Sequence, residues 1–300
     1  MAPASLNLYC SGAGHVYWVT SYGGTVNRVR VGGGGVTTLA HSQNDPVSVA
    51  VDGTHVYWAN AGGGRVNEVP LSGGSLTSLA IGQSFPSSVA VDGAHVYWVN
   101  RDMVNFDMAD RPVNELPLRG SGVNTVATSQ SEPVSVAVDG SHIYWVNYKG
   151  GTVNEVPLGG GNVTTLATGQ NHPISVAVAS GRVYWVNYLG GTVRWVPRTG
   201  GSVTTLATGQ SEPMSVAVDG THVYWVNFRG GTVNEVTRGG SAVTALASGQ
   251  SGPSSVAVDG THVYWTNFNA GTVAEVPVGG GSVTTLASGQ EGAYSVAVGR

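Results

Sequence analysis

Residues 219–227 read DGTHVYWVN, and almost the same nine letters return as DGTHVYWAN at 52–60 and as DGTHVYWTN at 259–267. When a segment occurs in every repeat, it usually holds the repeats together. It less often performs chemistry at a single place. The segment therefore decides the fold, and the function has to be sought in the residues that differ from repeat to repeat.

The tryptophan of this segment measures the repeat. Successive copies are 40 residues apart, with one interval of 47, at Trp18, Trp58, Trp98, Trp145, Trp185, Trp225 and Trp265. Each unit contains four short β-rich runs, such as SVAV at 215–218, HVYWVN at 222–227, TVNEV at 232–236 and VTAL at 243–246, with turn-forming residues between them. The pattern predicts an all-β fold, a seven-bladed β-propeller of four-stranded antiparallel blades.

We expect a single propeller domain over residues 1–300, with seven repeats and an insertion at 101–112 in the third repeat. Neighbouring residues of a strand point to opposite faces of the sheet. Tyr224 and Trp225 should therefore fill the seams on the two sides of their blade, and the equivalent pairs should do the same around the ring.

Closure of the ring and the placement of its loops also follow from the repeat. Two segments compete for one inner-strand position, LNLYC at 6–10 and YSVAV at 294–298, and we expect the second to complete the first blade because it matches the other inner strands better. Successive connections of an antiparallel blade alternate between its two ends. The linkers between blades should therefore share one face with the turns between second and third strands, and the repeated Asp-His turns should lie on the other.

Composition excludes several kinds of partner. Charged residues make up 10% of the chain, the net charge is −4, and Lys and Arg form no cluster along the sequence. We therefore expect no nucleic-acid partner. We also expect no membrane insertion, since the apolar runs are far shorter than the ~20 residues that span a bilayer. The amino terminus lacks the features of a signal peptide, and Cys10 is expected to be a small core residue. Low charge and many Gly, Thr, Asn and Trp favour an extracytoplasmic or secreted protein, which we expect to be a monomer.

The repeats resemble a known family. Units such as PSSVAVDGTHVYWTNFNAGTVAEVPV at 253–278 are similar to the YWTD repeats of low-density-lipoprotein-receptor propellers, and the PxSVAVD opening is similar to NHL-repeat blades. The acidic residue of YWTD is replaced by Asn or Thr in all seven units. The resemblance implies a seven-bladed propeller and extracellular binding of a protein or another ligand.

The polar residues that recur are interpreted as structural. An Asp is followed three residues later by a His in Asp52 and His55, Asp92 and His95, Asp139 and His142, Asp219 and His222, and Asp259 and His262. Asp accepts hydrogen bonds from amides of its own turn, and symmetric copies form a ring too wide to converge on one ion. The same interpretation applies to the Gln before each inner strand and to Glu68, Glu115, Glu155, Glu235 and Glu275.

One variable position precedes the inner strand of each blade. The seven linkers carry Asp45, Phe85, Glu132, His172, Glu212, Gly252 and Gly292 there. Glu132, His172 and Glu212 come from successive blades, and carboxylate, imidazole and carboxylate suit a divalent cation or an acid/base group. The alternative is that they are solvated loop residues without a special role.

A second variable position follows the second strand. Aromatic residues occupy it in four consecutive blades, at Tyr148, Tyr188, Phe228 and Phe268, and each follows an asparagine. Such rings beside amide donors can stack on sugars or anchor a peptide, or they can simply cover the seams. The insertion at 101–112 carries Asp107 and Asp110, and we interpret it as a flap over the same face.

Two classes of function remain. The first is a non-enzymatic propeller that recognises a protein, peptide or glycan through one loop face, using Glu132, His172, Glu212, the four aromatic residues and the flap. The second is a metal-dependent hydrolase or lyase at the channel mouth, with a divalent cation held by Glu132, His172 and Glu212. A third interpretation is a repeat scaffold without an evolved ligand.

Overall fold

The computed structural model describes residues 14–101, 111–120, 122–240 and 242–299. These residues form seven four-stranded antiparallel sheets and no helix, so the predicted seven-bladed propeller is confirmed. Within those ranges no helix is present that could cross a membrane. The competing segment LNLYC at 6–10 lies outside the described residues.

Blades 2 to 7 each consist of four consecutive strands, whereas blade 1 joins both ends of the chain. The strands of blades 2 to 7 are β4 Pro46–Val51, β5 His55–Asn60, β6 Arg65–Pro70, β7 Thr77–Ala80, β8 Pro86–Val91, β9 His95–Asn100, β10 Val113–Pro117, β11 Asn124–Ala127, β12 Pro133–Val138, β13 His142–Asn147, β14 Thr152–Pro157, β15 Thr164–Ala167, β16 Pro173–Ala179, β17 Arg182–Asn187, β18 Thr192–Pro197, β19 Thr204–Ala207, β20 Pro213–Val218, β21 His222–Asn227, β22 Thr232–Thr237, β23 Thr244–Ala247, β24 Pro253–Val258, β25 His262–Asn267, β26 Thr272–Pro277 and β27 Thr284–Ala287. Blade 1 consists of β1 His15–Thr20, β2 Thr25–Arg30, β3 Thr37–Ala40 and β28 Ala293–Gly299.

The carboxyl-terminal strand completes the first blade, as predicted. Strand β28 pairs with β1, and Trp18 is aligned with Val296. The seam is also fastened by side chains, because Trp18 Nε1 donates to Gln290 Oε1 at 2.9 Å. Closure therefore uses the same contacts that join the other blades.

The Tyr-Trp pair fills successive seams. The seven tryptophans are completely buried, and Tyr184 and Trp225 belong to the same apolar cluster between two blades, as do Tyr224 and Trp265. Each indole also donates to the Gln of the preceding linker, with Trp225 Nε1 at 2.7 Å from Gln210 Oε1. The glutamine interpreted as structural therefore satisfies the buried N–H of the tryptophan.

The repeated Asp holds the turn between the inner and second strands. Asp219 Oδ1 accepts hydrogen bonds from the backbone N–H groups of Thr221 and His222, while its Oδ2 accepts one from the Tyr224 hydroxyl at 2.9 Å. Burial alone opposes ionisation, but these bonds hold the pKa of Asp219 below its usual range. The Asp therefore anchors the seam tyrosine, which supports the structural interpretation.

A ring of serines seals the inner strands to one another. Each serine hydroxyl oxygen accepts a hydrogen bond from a backbone N–H of the next blade, at 3.0–3.2 Å. The pairs are Val49 to Ser295, Val89 to Ser48, Val136 to Ser88, Val176 to Ser135, Val216 to Ser175, Val256 to Ser215 and Val296 to Ser255. Seven such bonds close a circle around the central channel.

Candidate ligand-binding face

The two variable positions meet on one face, as predicted. The backbone N–H of Tyr148 donates to the carbonyl of Glu132 at 2.8 Å, and that of Tyr188 donates to the carbonyl of His172 at 2.9 Å. We call this side, formed by the linkers and by the turns between second and third strands, the mouth face. The Asp-anchored turns connect the opposite ends of the inner and second strands and form the Asp face.

All seven variable linker residues have a left-handed backbone. The φ angles are 53° at Asp45, 47° at Phe85, 61° at Glu132, 58° at His172, 55° at Glu212, 67° at Gly252 and 68° at Gly292. Glycine adopts this conformation without strain, whereas a residue with a side chain does not. Five blades therefore keep a side chain on the mouth face at a conformational cost.

A pairing rule connects the two variable positions. The residue that follows the second strand contacts the linker residue at the far side of its own blade. Arg101 binds Glu132 through its Nη2, at 2.8 Å, and its Nε, at 2.9 Å. The ring of Tyr148 lies edge-on to that of His172, with centroids 4.5 Å apart. A β-carbon on Gly252 would come within 3.2 Å of Phe228, so the smallest linker residue accompanies a large ring.

The two glutamates of the expected cation site are neutralised by neighbouring cations. Besides Arg101, Lys149 approaches Glu132, with 3.2 Å between Nζ and Oε2. Burial opposes ionisation of Glu132, but the two cations hold its pKa below the usual range. Arg229 Nη1 lies 3.7 Å from Glu212 Oε1. Burial raises the pKa of Tyr188, and Glu212 contributes in the same direction.

Each of the three residues expected to hold a divalent cation, Glu132, His172 and Glu212, has partners of its own on the mouth face. His172 packs on Tyr148, and its Nδ1 lies 2.9 Å from Asn171 Oδ1. In the described ranges no three His, Cys, Asp or Glu side chains come together in a group that could hold a metal ion. The physical reason is that each side chain is held within its own seam.

The asparagines beside the aromatic residues are not available to a ligand. Asn147 is 6% exposed, and its Nδ2 donates to Gln130 Oε1 at 2.9 Å and to Thr152 Oγ1 at 3.0 Å. Asn187, Asn227 and Asn267 make the same two contacts in their blades. The amide donors that we expected beside the rings are therefore used to hold the blade together.

Aromatic rings form a continuous cluster over blades 6, 7 and 1. Phe268 lies at its centre, with ring centroids 5.2 Å from Tyr22, 5.9 Å from Tyr294 and 6.4 Å from Phe228. The Tyr22 and Tyr294 rings meet Phe268 edge-on, and Tyr22 is 76% exposed. Tyr148 and Tyr188 lie outside this cluster, on blades 4 and 5.

A cavity of about 550 Å³ opens at the centre of the mouth face. Its wall contains the seven serines of the ring and, just above them, the residue after each inner-strand proline or its equivalent, which is Val47, Ser87, Val134, Ile174, Met214, Ser254 or Tyr294. Its rim includes Tyr22, Asp45, Phe85, Arg101 and Phe268. We call this cavity the channel mouth.

Only part of this candidate site was predicted from the sequence. Phe268 was among the predicted ligand-binding residues, whereas Tyr22, Tyr294 and the apolar wall were missed. The wall residues differ from repeat to repeat, although the serine that follows them is constant. A comparison of the repeats at this position would therefore have identified them. Asp107 and Asp110 of the expected flap lie outside the described residues.

Blade 5 departs from the pattern on the Asp face. Ala179 stands where Asp219 stands in blade 6, so Tyr184 lacks the usual carboxylate partner. Arg238 of blade 6 replaces it, because its Nε donates to the Tyr184 hydroxyl at 2.8 Å and its Nη2 to the Ala179 carbonyl at 3.1 Å. The change is therefore compensated within the seam.

The sequence matches no family model and no curated protein. Solved structures with the same fold include a chain of the nidogen/laminin complex, with 14% identity, a TM-score of 0.64, and coverage of 96% of this chain and 98% of that one. Virginiamycin B lyase from Staphylococcus aureus has 11% identity and a TM-score of 0.72, over 85% of this chain and 91% of the lyase.

A functionally unknown protein from Desulfotomaculum acetoxidans has 13% identity and a TM-score of 0.76, over 96% of this chain and 99% of that one. These similarities define the chain as a seven-bladed β-propeller. Because the roles of the similar proteins range from a protein complex to a lyase, the fold alone does not determine the function.

Proposed function

We propose that this propeller is a non-enzymatic binding protein that recognises a polypeptide segment across its mouth face. The observation that carries the proposal is the channel mouth, where Val47, Val134, Ile174 and Met214 line a cavity with aromatic residues on its rim. A cavity of about 550 Å³ is large enough for one or two side chains of a partner. Apolar pockets with a few polar groups are the usual form of such sites.

A polypeptide fits this surface better than a glycan. Sugar binding requires open ring faces with amide or carboxylate partners beside them, but the mouth-face asparagines are buried and bonded to glutamine. The rings of Tyr22, Phe268 and Tyr294 meet edge-on, which leaves an irregular apolar surface suited to side chains.

The other two interpretations have less support. A metal-dependent hydrolase or lyase would need free ligands, whereas Glu132 and Glu212 are paired with Arg101, Lys149 and Arg229. A scaffold without a ligand gives no reason to keep five side chains at left-handed positions where glycine is easier. Backbone strain of this kind concentrates at functional sites.

The relation to YWTD-type repeats and an extracytoplasmic or secreted location belong to the same proposal. Their support is the Tyr-Trp pair in every seam, the low content of charged residues and the fold shared with a chain of the nidogen/laminin complex. A monomer is consistent with a partner that binds at the open mouth.

A displayed random-peptide library tests the proposal. Peptides selected on the wild-type protein should share an apolar residue and should lose binding at least tenfold to the Ile174→Arg variant, which places a charge in the cavity wall. Val163→Arg is the matched control, because Val163 is 42% exposed and is not part of the cavity wall. Peptides that bind both variants equally, or no enrichment at all, would contradict the proposal.

A further inference from the structure

We infer that the rim of the channel mouth contains a subsite for an organic cation, formed by Asp45 and the rings of Tyr22, Phe268 and Tyr294. The inference rests on the proposed function, which it extends: the bound segment carries an ammonium or guanidinium group next to its apolar residue. All four side chains line the same cavity.

Asp45 is the acidic rim residue whose charge is not matched. Among the described residues no cation and no hydrogen-bond donor contacts its carboxylate, in contrast to the carboxylates of Glu132 and Glu212. Asp45 is exposed at the rim, and partial burial of its carboxyl raises its pKa. A ligand cation would supply the missing partner.

The aromatic rings line the same cavity as this carboxylate. Tyr22 and Tyr294 both meet Phe268 edge-on, with interplanar angles of 61° and 80°. Rings at steep angles to one another surround a cation better than stacked rings, because each can direct its electron-rich face to the charge. Burial raises the pKa of Tyr294, the charge of Arg101 lowers it, and the charge of Asp45 raises it.

Two glycines make room for this aromatic group. A β-carbon on Gly292 would lie 3.0 Å from Tyr22 Cδ2, and one on Gly252 would lie 3.2 Å from Phe228 Cε2. The linker side chain is thus absent at the two positions where the rings stand. The next linker around the ring, between blades 1 and 2, has Asp45 at this position instead of glycine.

The positive charge on the rim does not oppose this assignment. Arg101 also lines the cavity and lowers the pKa of Tyr294, but its Nε and Nη2 both bind Glu132. The charge of Arg101 is therefore compensated by a carboxylate. Arg101 also extends from blade 3, whereas the aromatic group belongs to blades 7 and 1. The uncompensated charge on the rim is therefore that of Asp45.

Choline and its uncharged isostere 3,3-dimethylbutanol are suitable probes, because they have the same shape and differ in charge. Titration of the protein, followed by the methyl proton shifts of each probe, should show upfield shifts for choline and at least tenfold weaker binding of the alcohol. Asp45→Asn preserves shape and left-handed backbone preference, and should weaken choline about tenfold. Tyr22→Leu should also weaken it.

Glu291→Gln is the matched control, since Glu291 is an exposed carboxylate on the linker before blade 1 and does not line the cavity. It should leave choline binding unchanged. Equal binding of the two probes, or equal effects of Asp45→Asn and Glu291→Gln, would overturn the cation subsite.

The same experiment separates the two proposals. Selected peptides with an apolar residue but no excess of Lys or Arg, together with no preference for choline, would leave peptide recognition in place and remove the cation subsite. Choline binding that depends on Asp45, with no peptide that depends on Ile174, would retain the subsite and remove peptide recognition.

Discussion

The backbone N–H of Val49 donates to the hydroxyl oxygen of Ser295 at 3.2 Å, which joins two residues that are 246 positions apart. The bond is equivalent to the one between Val216 and Ser175, which are 41 positions apart. The junction between blades 1 and 2, to which the carboxyl-terminal strand β28 contributes, is therefore made like the other junctions, and it should be equally important for stability.

Deletion of residues 294–300 tests this closure. The deletion removes most of β28, exposes the edge of β1 and removes the Ser295 acceptor. We expect the melting temperature to fall by about 10 °C or more, since each kcal/mol corresponds to several degrees in a domain. Ser295→Ala, which removes one acceptor from one junction, should cost only about 1–3 kcal/mol. An unchanged melting temperature after the deletion would show that β28 does not close the ring.

Trp225→Ala tests the role of the seam indoles. Trp225 is completely buried and bonded to Gln210, so its loss should reduce the free energy of unfolding by roughly 3–5 kcal/mol in a denaturant titration. Trp195, which is half-buried with the Arg182 guanidinium 3.9 Å above its ring, is the control. Its replacement by Ala should cost much less, and equal losses would contradict the assignment.

His172→Gly tests whether the linker side chains are kept for binding. The φ angle of 58° suits glycine, so we expect stability to stay the same or to rise by up to about 1 kcal/mol. Peptide binding should weaken at the same time. The reverse change, Gly252→His, should destabilise the protein, because its β-carbon would lie 2.6 Å from Asn269 Nδ2. A clear loss of stability in His172→Gly would indicate a structural role instead.

Arg238→Leu tests the compensation in blade 5. The substitution leaves the Tyr184 hydroxyl without its donor and should cost about 1–2 kcal/mol. Adding Ala179→Asp restores the carboxylate that other blades use, and the double variant should recover most of the loss. A double-mutant cycle on the free energy of unfolding measures this coupling, and additive effects would exclude it.

The pH dependence of stability should reveal two kinds of carboxylate. Burial raises the pKa of Glu68, Asp52 adds to the shift and His55 opposes it. A raised pKa in the folded state means that stability is lost as the pH rises through that value. Glu68→Gln should therefore raise the melting temperature at pH 7, with a gain that disappears below about pH 4.

Glu132 is the control of opposite sign. Its pKa is lowered in the folded state, so its contribution is present above the unfolded pKa of about 4.3 and is lost as the pH falls. Glu132→Gln should destabilise the protein at pH 7 and have little effect in acid. Melting curves from pH 3 to 8 check both variants, and shifts of the same sign would contradict this explanation.

The features predicted from the sequence are those that symmetry enforces. Blade number, strand order, the Tyr-Trp seams and the separation of the two faces follow from period and alternation, which every repeat confirms. Closure by 294–298 was also predictable, because the segment has the same letters as the other inner strands. These features depend on backbone geometry and burial rather than on particular side-chain partners.

The partners of individual side chains were not predictable in the same way. Sequence gave no sign that Asn147 would be buried against Gln130. Because the insertion begins at Arg101, the sequence did not indicate that Arg101 is structurally equivalent to Tyr148. The ion pair between Arg101 and Glu132 was therefore not predicted. Comparison of the repeats shows which residues are variable. Only the packing in the seams between blades shows which of them already interact with another side chain.

The pairing rule on the mouth face has a consequence for how such a chain can evolve. Tyr148 and His172, or Phe228 and Gly252, are 24 residues apart and lie within one repeat length. Duplication or exchange of a whole unit therefore transmits both members of a matched pair, whereas a point mutation separates them. Recombination between units can thus change the residues of the mouth face in a single genetic event. It avoids intermediates in which the two residues of a pair do not fit each other.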